Sequence, residues 1–255
     1  MFRLIFLNIL LALNVSAEDI FGNPGDILPI KSHSSNEFLS IKKNDNFYRL
    51  VALPFDKQGN SIIIENKTIT INYKDFGESR ITIVDESMVT LSKQDSERVY
   101  AESIAIKDAL RTFTTEFKPS MEFINPVEGV ISSRYGKKRF INNKPRSPHL
   151  SLDIAAPEGT EIVAPENGKI ILSGNFFYSG NYLLIDHGFG LLSSYSHLSS
   201  INVENNAVVK KGEKIGEVGS TGRVTGPHLH WTVYLDKVKI NPELLLKEDF
   251  LNRAL

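Results

Sequence analysis

No cysteine occurs among the 255 residues. That excludes disulfides, thiolate metal sites, a cysteine nucleophile and a lipid-bearing cysteine. Any metal ion must be held by histidine, aspartate or glutamate. An excess of either charge is missing as well. Lys and Arg number 29 against 30 Asp and Glu, a net charge of −1. Such a balance gives no footing for a nucleic-acid surface or a polybasic membrane surface. Long apolar runs are absent apart from Leu4 to Leu13. This run is too short for a comfortable membrane span. Arg3 precedes it and the small residues Val15-Ser16-Ala17 follow. The pattern reads as a secretory signal, residues 1–17, cleaved after Ala17. The expected mature protein is therefore exported.

Residues 18–92 read as a small β domain. Short runs such as Phe47 to Val51, Ser61 to Ile64, Lys67 to Tyr73 and Arg80 to Val84 are separated by turn signals. These include Asn44-Asp45 and Gly59-Asn60. The spacing suggests a β-sandwich of immunoglobulin-like type. His33 lies in a polar loop and is expected to be solvated. From Ser92 to Phe117, Val99, Ser103, Ile106 and Leu110 recur at helical spacing, with Ile104 and Phe113 near the stripe. A linker helix over 93–118 is predicted, stopped by Lys118-Pro119. From 119 to 245 the chain is strand-rich and punctuated by glycine, and 246–255 reads as a tail.

The functional signal lies in this third segment. Thr225-Gly226-Pro227-His228-Leu229-His230-Trp231 opens a probable strand, so His228 and His230 share one face. Such a pair suits a metal ligand plus a general base. His149 and Asp153, at i and i+4, share a face if the segment is extended. Two histidines and one carboxylate are a common ligand set for catalytic zinc, with a fourth position open to water. His197 follows the end of another strand, read over Gly190 to Tyr195. His187, between Asp186 and Gly188, is expected to be a turn residue. Arg134 to Pro148 reads as a long loop with six cations and no acid, suited to an anionic substrate. Tyr135, Asn181, Arg223 and Thr225 are candidate cleft residues.

Taken together, several stretches resemble the lysostaphin-type (LytM-domain) zinc metallopeptidases. They are Gly129-x-x-x-Ser133-x-Tyr135-Gly136, His149-x-x-x-Asp153-Ile154-Ala155-Ala156-Pro157, Tyr195-Ser196-His197-Leu198 and Thr221-Gly222-x-x-Thr225-Gly226-Pro227-His228-Leu229-His230. The likeness covers about residues 122–242. It implies a mainly β protein with an antiparallel LytM-type sheet. It implies one zinc ion held by His149, Asp153 and His230, with His228 and His197 as the catalytic histidines beside it. Ser151 stands where the family usually has glycine, and could narrow the cleft. The implied activity is hydrolysis of peptidoglycan cross-links by a DD-endopeptidase in the periplasm of a Gram-negative bacterium. The partners so implied are stem peptides, with no nucleic acid and no membrane after signal cleavage. A monomer is expected, with room for a regulatory protein partner. The amino-terminal domain would either recruit a partner or restrain the cleft.

Two other readings compete with this one. A non-catalytic LytM-type activator typically lacks the metal ligands, whereas here every ligand position is filled. Residues 159–219 also look like a biotinyl or lipoyl carrier, which places a modified lysine beside methionine. The three methionines, Met1, Met88 and Met121, all lie elsewhere.

Overall fold

The computed structural model describes residues 20–248 and residue 250. The expected signal segment, and most of the expected tail, lie outside the described residues. The amino-terminal part contains strands β1 (Ile20–Gly22), β2 (Ile27–Ser32), β3 (Ser40–Lys43), β4 (Asn46–Ala52), β5 (Ser61–Ile64) and β6 (Lys67–Ile71). They form two three-stranded sheets, ordered β2-β4-β3 and β1-β6-β5. Ile30, Val51 and Leu53 meet Ile69 and Ile71 in a shared core, which gives a small sandwich. Immunoglobulin-like order is not kept, because β1 runs parallel to β6. The β3–β4 and β5–β6 turns place Asn44-Asp45 and Glu65-Asn66 in the left-handed region, as two-residue hairpins require.

Strand β7 (Glu78–Ile81) leaves this sandwich. It pairs in parallel with β9 (Lys137–Ile141), whose other edge carries β10 (Lys144–His149). The segment read as a long basic loop is thus mostly a hairpin. Its turn is Asn142-Asn143, with φ of 48° and 60°. Pro145 and Pro148 cannot donate to a ladder, and β10 accordingly lies at an edge.

Helix α1 spans Lys93–Ala109, N-capped by Ser92. It ends earlier than the predicted 118. The β-branched and aromatic run Thr112 to Thr115 favours other contacts instead. Phe113 meets Phe189 edge-on, and Thr114 donates its hydroxyl to Asp186 at 2.6 Å. Ile106, Ala109 and Leu110 pack on Phe176, Tyr182, Leu184 and Tyr234. Ile104 falls off this stripe and is exposed.

The remaining strands are β8 (Val130–Ser133), β11 (Leu152–Ala155), β12 (Glu161–Val163), β13 (Gly168–Phe176), β14 (Gly180–Asp186), β15 (Leu191–Ile201), β16 (Val208–Val209), β17 (Lys214–Val218), β18 (His228–Leu235) and β19 (Val238–Ile240). Among the described residues they form a ten-stranded sheet with the main path β16-β13-β14-β15-β18-β11-β8. The fold is mainly β, with antiparallel pairing throughout this sheet. Its core includes Leu152, Ile154, Leu183, Leu229, Trp231 and Val233, each almost wholly buried.

Candidate metal centre

The site is written across neighbouring strands. Asp153 on β11 lies opposite His230 on β18 and opposite Ser133 on β8, while Ser196 on β15 lies opposite His230. Residues directly opposite in an antiparallel ladder share a face. One row therefore runs Ser133, Asp153, His230, Ser196, and His228 starts the next row, opposite Ala155. This is the common face expected from the His-x-His spacing.

His149 reaches the same point from another sheet. It ends β10, and the chain bends at Leu150-Ser151 before β11 begins. The expectation of one extended segment through His149 and Asp153 is therefore corrected: two strands meet at a corner. Ser151 sits in that corner, almost wholly buried, with its hydroxyl 2.7 Å from the Thr232 hydroxyl. Thr232 lies on the face that carries His230, one row further along, and Ser151 lines neither cavity of the cleft.

Three electron-rich atoms converge. Asp153 Oδ1 is 3.0 Å from His149 Nε2 and 2.7 Å from His230 Nδ1, and the two nitrogens are 3.4 Å apart. His149 Nδ1 lies 3.1 Å from the Arg134 carbonyl, which can only accept, so it carries the proton. Nε2, the other ring nitrogen, is turned toward the Asp153 carboxylate and His230 Nδ1. A cation among these three atoms would meet all of them at once. Two imidazoles, one carboxylate and a carbonyl fixing one tautomer fit a zinc ion. Burial alone would raise the Asp153 pKa. The charge of His230 and hydrogen bonds from His149 and His230 reverse this and hold it well below the usual carboxylate range. Burial pushes His230 down to about 4, against the pull of Asp153.

His197 and His228 stand beside this triad. Their ring centroids are 4.9 Å apart, and His197 is 5.7 Å from His230. Regular alternation would point His197 away from the face that Ser196 occupies. Its φ of 70° turns it back, so Ser196 and His197 both line the cleft. β15 changes partner at this point, pairing with β18 before it and β17 after it. His197 N–H donates to the Ser179 carbonyl at 2.8 Å and Nδ1–H to the Thr221 carbonyl at 2.9 Å. The Thr221 loop can approach because Gly180 lacks a Cβ, which would collide with Thr221. His228 Nδ1–H donates to the Gly226 carbonyl at 2.8 Å. In the neutral form of either ring, Nε2 is therefore the lone-pair nitrogen. Burial, then the charges of His230 and His228, pushes His197 down to about 3.

The cleft over these groups has a volume of about 170 Å³ and continues past His228 into a second depression of about 320 Å³. Arg223 and Thr225 line it, as expected. Tyr135 does not. It is buried against Phe55 and Phe76, and its hydroxyl donates to the Lys239 carbonyl. Asn181 instead spends its amide on the Leu198 and Ser199 carbonyls. Sequence reasoning missed Ser79 and Tyr178, which line the first cavity, and placed Arg139, which also lines it, in a basic loop rather than on a strand. The Asn-Asn turn between alternating residues was the available sign that Arg139 lies on a strand. His187 lies in the connection between β14 and β15, as expected of a turn residue. It is fully buried, 2.8 Å from the Asn167 carbonyl and 2.7 Å from the Ser193 hydroxyl. His33 is exposed.

Residues 147–242 match the model of peptidase family M23. The chain is similar to two peptidoglycan DD-endopeptidases of Vibrio cholerae. It is 38% identical to ShyA over 112 residues and 30% identical to ShyB over 194 residues. These matches cover 44% and 76% of this chain but 26% and 41% of those proteins, so the chain spans less than half their length. A crystallised Pseudomonas aeruginosa chain assigned to peptidase M23 aligns with a TM-score of 0.69 at 27% identity. That alignment covers 88% of this chain and 94% of that one. Residues 147–242 of this chain thus carry a domain of the peptidase M23 type.

Proposed function

We propose that the chain is an exported zinc metallopeptidase that hydrolyses peptide cross-links of peptidoglycan. The observation that carries this reading is the convergence of His149 Nε2, Asp153 Oδ1 and His230 Nδ1 beside two further imidazoles. Likeness to ShyA and ShyB supports the substrate class. The signal-like residues 1–17 support export to the periplasm.

In this reading His149, Asp153 and His230 hold one zinc ion. When bound, the ion would polarise the scissile carbonyl and acidify a water molecule. His228 takes the proton from that water at Nε2, since its Nδ1–H is committed to Gly226. His197 accepts a hydrogen bond at Nε2 and orients the water. It serves the developing oxyanion only as an imidazolium, because its neutral form donates at Nδ1 to Thr221 and nowhere else. The left-handed backbone at His197 is the cost of bringing that ring to the cleft. Ser79 and Ile81 of β7 form part of the wall, so the amino-terminal segment shapes what the cleft admits. Domain limits of 18–92, 93–118 and 119–245 remain part of this reading, with β7 as a strand shared across them.

Digestion of purified sacculi by the zinc-loaded protein tests the proposal. Cross-linked muropeptide dimers should fall and monomers rise. An unchanged ratio with one zinc per chain would refute it.

A further inference from the structure

Two arginines, Arg139 and Arg223, line the cleft, and a third, Arg146, lies beside them. On the β7-β9-β10 sheet, Ser79 pairs with Arg139 and Arg139 with Arg146. The two guanidiniums therefore share the face that Ser79 and Ile81 turn to the cavity. Like charges directly opposite each other destabilise a sheet. No carboxylate among the described residues forms an ion pair with Arg139, Arg146 or Arg223. Arg223 arrives from the loop before β18. Its guanidinium lies 4.0 Å from the centroid of the Tyr178 ring and 3.4 Å from the Met88 carbonyl. It is thus held in place on one side and open on the other.

Arg139 and Arg223 both line the cavity, and Asp153 is its one acidic lining residue. Two cations face one carboxylate even before a divalent ion is added. Burial pushes both guanidinium pKa values down, yet arginine stays charged. Arg139 is close enough to Asp153 and His230 to act on the charge of each. A substrate carboxylate would supply a counter-charge there, and the guanidinium fork matches its geometry.

We propose that Arg139 and Arg223 form a carboxylate subsite, selecting peptides whose leaving residue bears a free carboxylate on the carbon bonded to the scissile nitrogen. The assignment to the leaving side follows from bond counting. On the acyl side the carboxyl group is consumed in the scissile bond, and any other carboxylate sits out on a side chain. On the amine side a free α-carboxylate lies two bonds from the nitrogen, within reach of a guanidinium beside the metal triad. Two substrates share this chemistry: a peptide ending at the leaving residue, and a cross-link to a diamino acid whose second centre keeps its carboxylate. A glycine bridge continues as an amide and offers no such group.

This inference rests on the peptidase reading, and a binding measurement separates the two. A D-alanyl-D-alanine peptide, as free acid and as C-terminal amide, is titrated into chelator-treated protein, where turnover is blocked. The acid should bind about tenfold more tightly or better. The same ratio should appear in kcat/KM with zinc-loaded protein. Arg139→Gln and Arg223→Gln should each bring acid and amide together by weakening the acid alone, with zinc content unchanged. A cross-linked dimer, with and without amidation at the leaving residue, forms the second arm. Discrimination confined to one arm identifies the source of the carboxylate. Equal binding of acid and amide by the wild-type protein in both arms would overturn the subsite. So would variants that keep the full ratio. Acid preference in binding without any cleavage would sustain the subsite and remove the peptidase reading.

Discussion

Replacing His197 by glycine and by alanine should reverse the usual order of stability. In an ordinary strand, glycine is less stable than alanine by about 0.5–1 kcal/mol, because it loses more freedom on folding. His197 has φ of 70°. There, alanine costs about 1–2 kcal/mol in steric strain, while the extra freedom of unfolded glycine costs about 0.4–1 kcal/mol. The difference leaves His197→Gly the more stable by about 0.5–1 kcal/mol. Both variants lose the Nδ1–H bond to Thr221, so that loss cancels in the comparison. For a chain of this size the gap corresponds to about 1–4 °C in Tm. Trp231, the single tryptophan and fully buried, reports the melt by fluorescence in chelator-treated samples. Both variants should lose turnover and keep zinc. An alanine variant melting at or above the glycine variant would refute the strained geometry at His197.

Further outcomes bear on the rest of the site. His149→Ala, Asp153→Ala and His230→Ala should each abolish zinc retention after dialysis, measured by metal analysis. His228→Ala should keep the metal and lose turnover by about 100-fold or more, and a fully active variant would remove its proton role. Ser151→Ala should cost about 1–3 kcal/mol in urea unfolding, because it leaves the buried Thr232 hydroxyl without its partner. Its activity on sacculi should be unchanged, since Ser151 lines neither cavity of the cleft. Stability of the metal-free protein should fall as pH drops from 6.5 toward 4. His230 and His197 titrate at about 4 and about 3 when folded, so the unfolded state binds more protons in that window. Each contributes up to about 1.4 kcal/mol per pH unit. Equal urea midpoints at pH 7 and pH 5 would contradict this.

Much of the architecture was legible because periodicity survives folding. The stripe Val99, Ser103, Ile106, Leu110 is the face that α1 turns to the sheet, and the runs at β4, β5 and β6 alternate as strands do. The stop of α1 at Ala109 was not legible, because Phe113 and Thr114 are claimed by Phe189 and Asp186, far along the chain. β1 and β2 were missed for a similar reason: their apolar residues find partners only in β6 and β4.

For the site, sequence alone determined the chemistry available. Without cysteine, a metal needs His149, Asp153, His230 or their like, and the spacing of His228 and His230 in a strand puts both on one face. Local backbone geometry carries that information. Tertiary structure decided the rest. It turned the chain at Ser151, so that His149 enters from a second sheet. It twisted His197 against strand alternation where β15 changes partner. It also brought Arg139 and Arg223 to one cavity, separated by 84 positions of chain. Those outcomes depend on which strands pair, a matter of long-range burial and hydrogen bonding that no local pattern records.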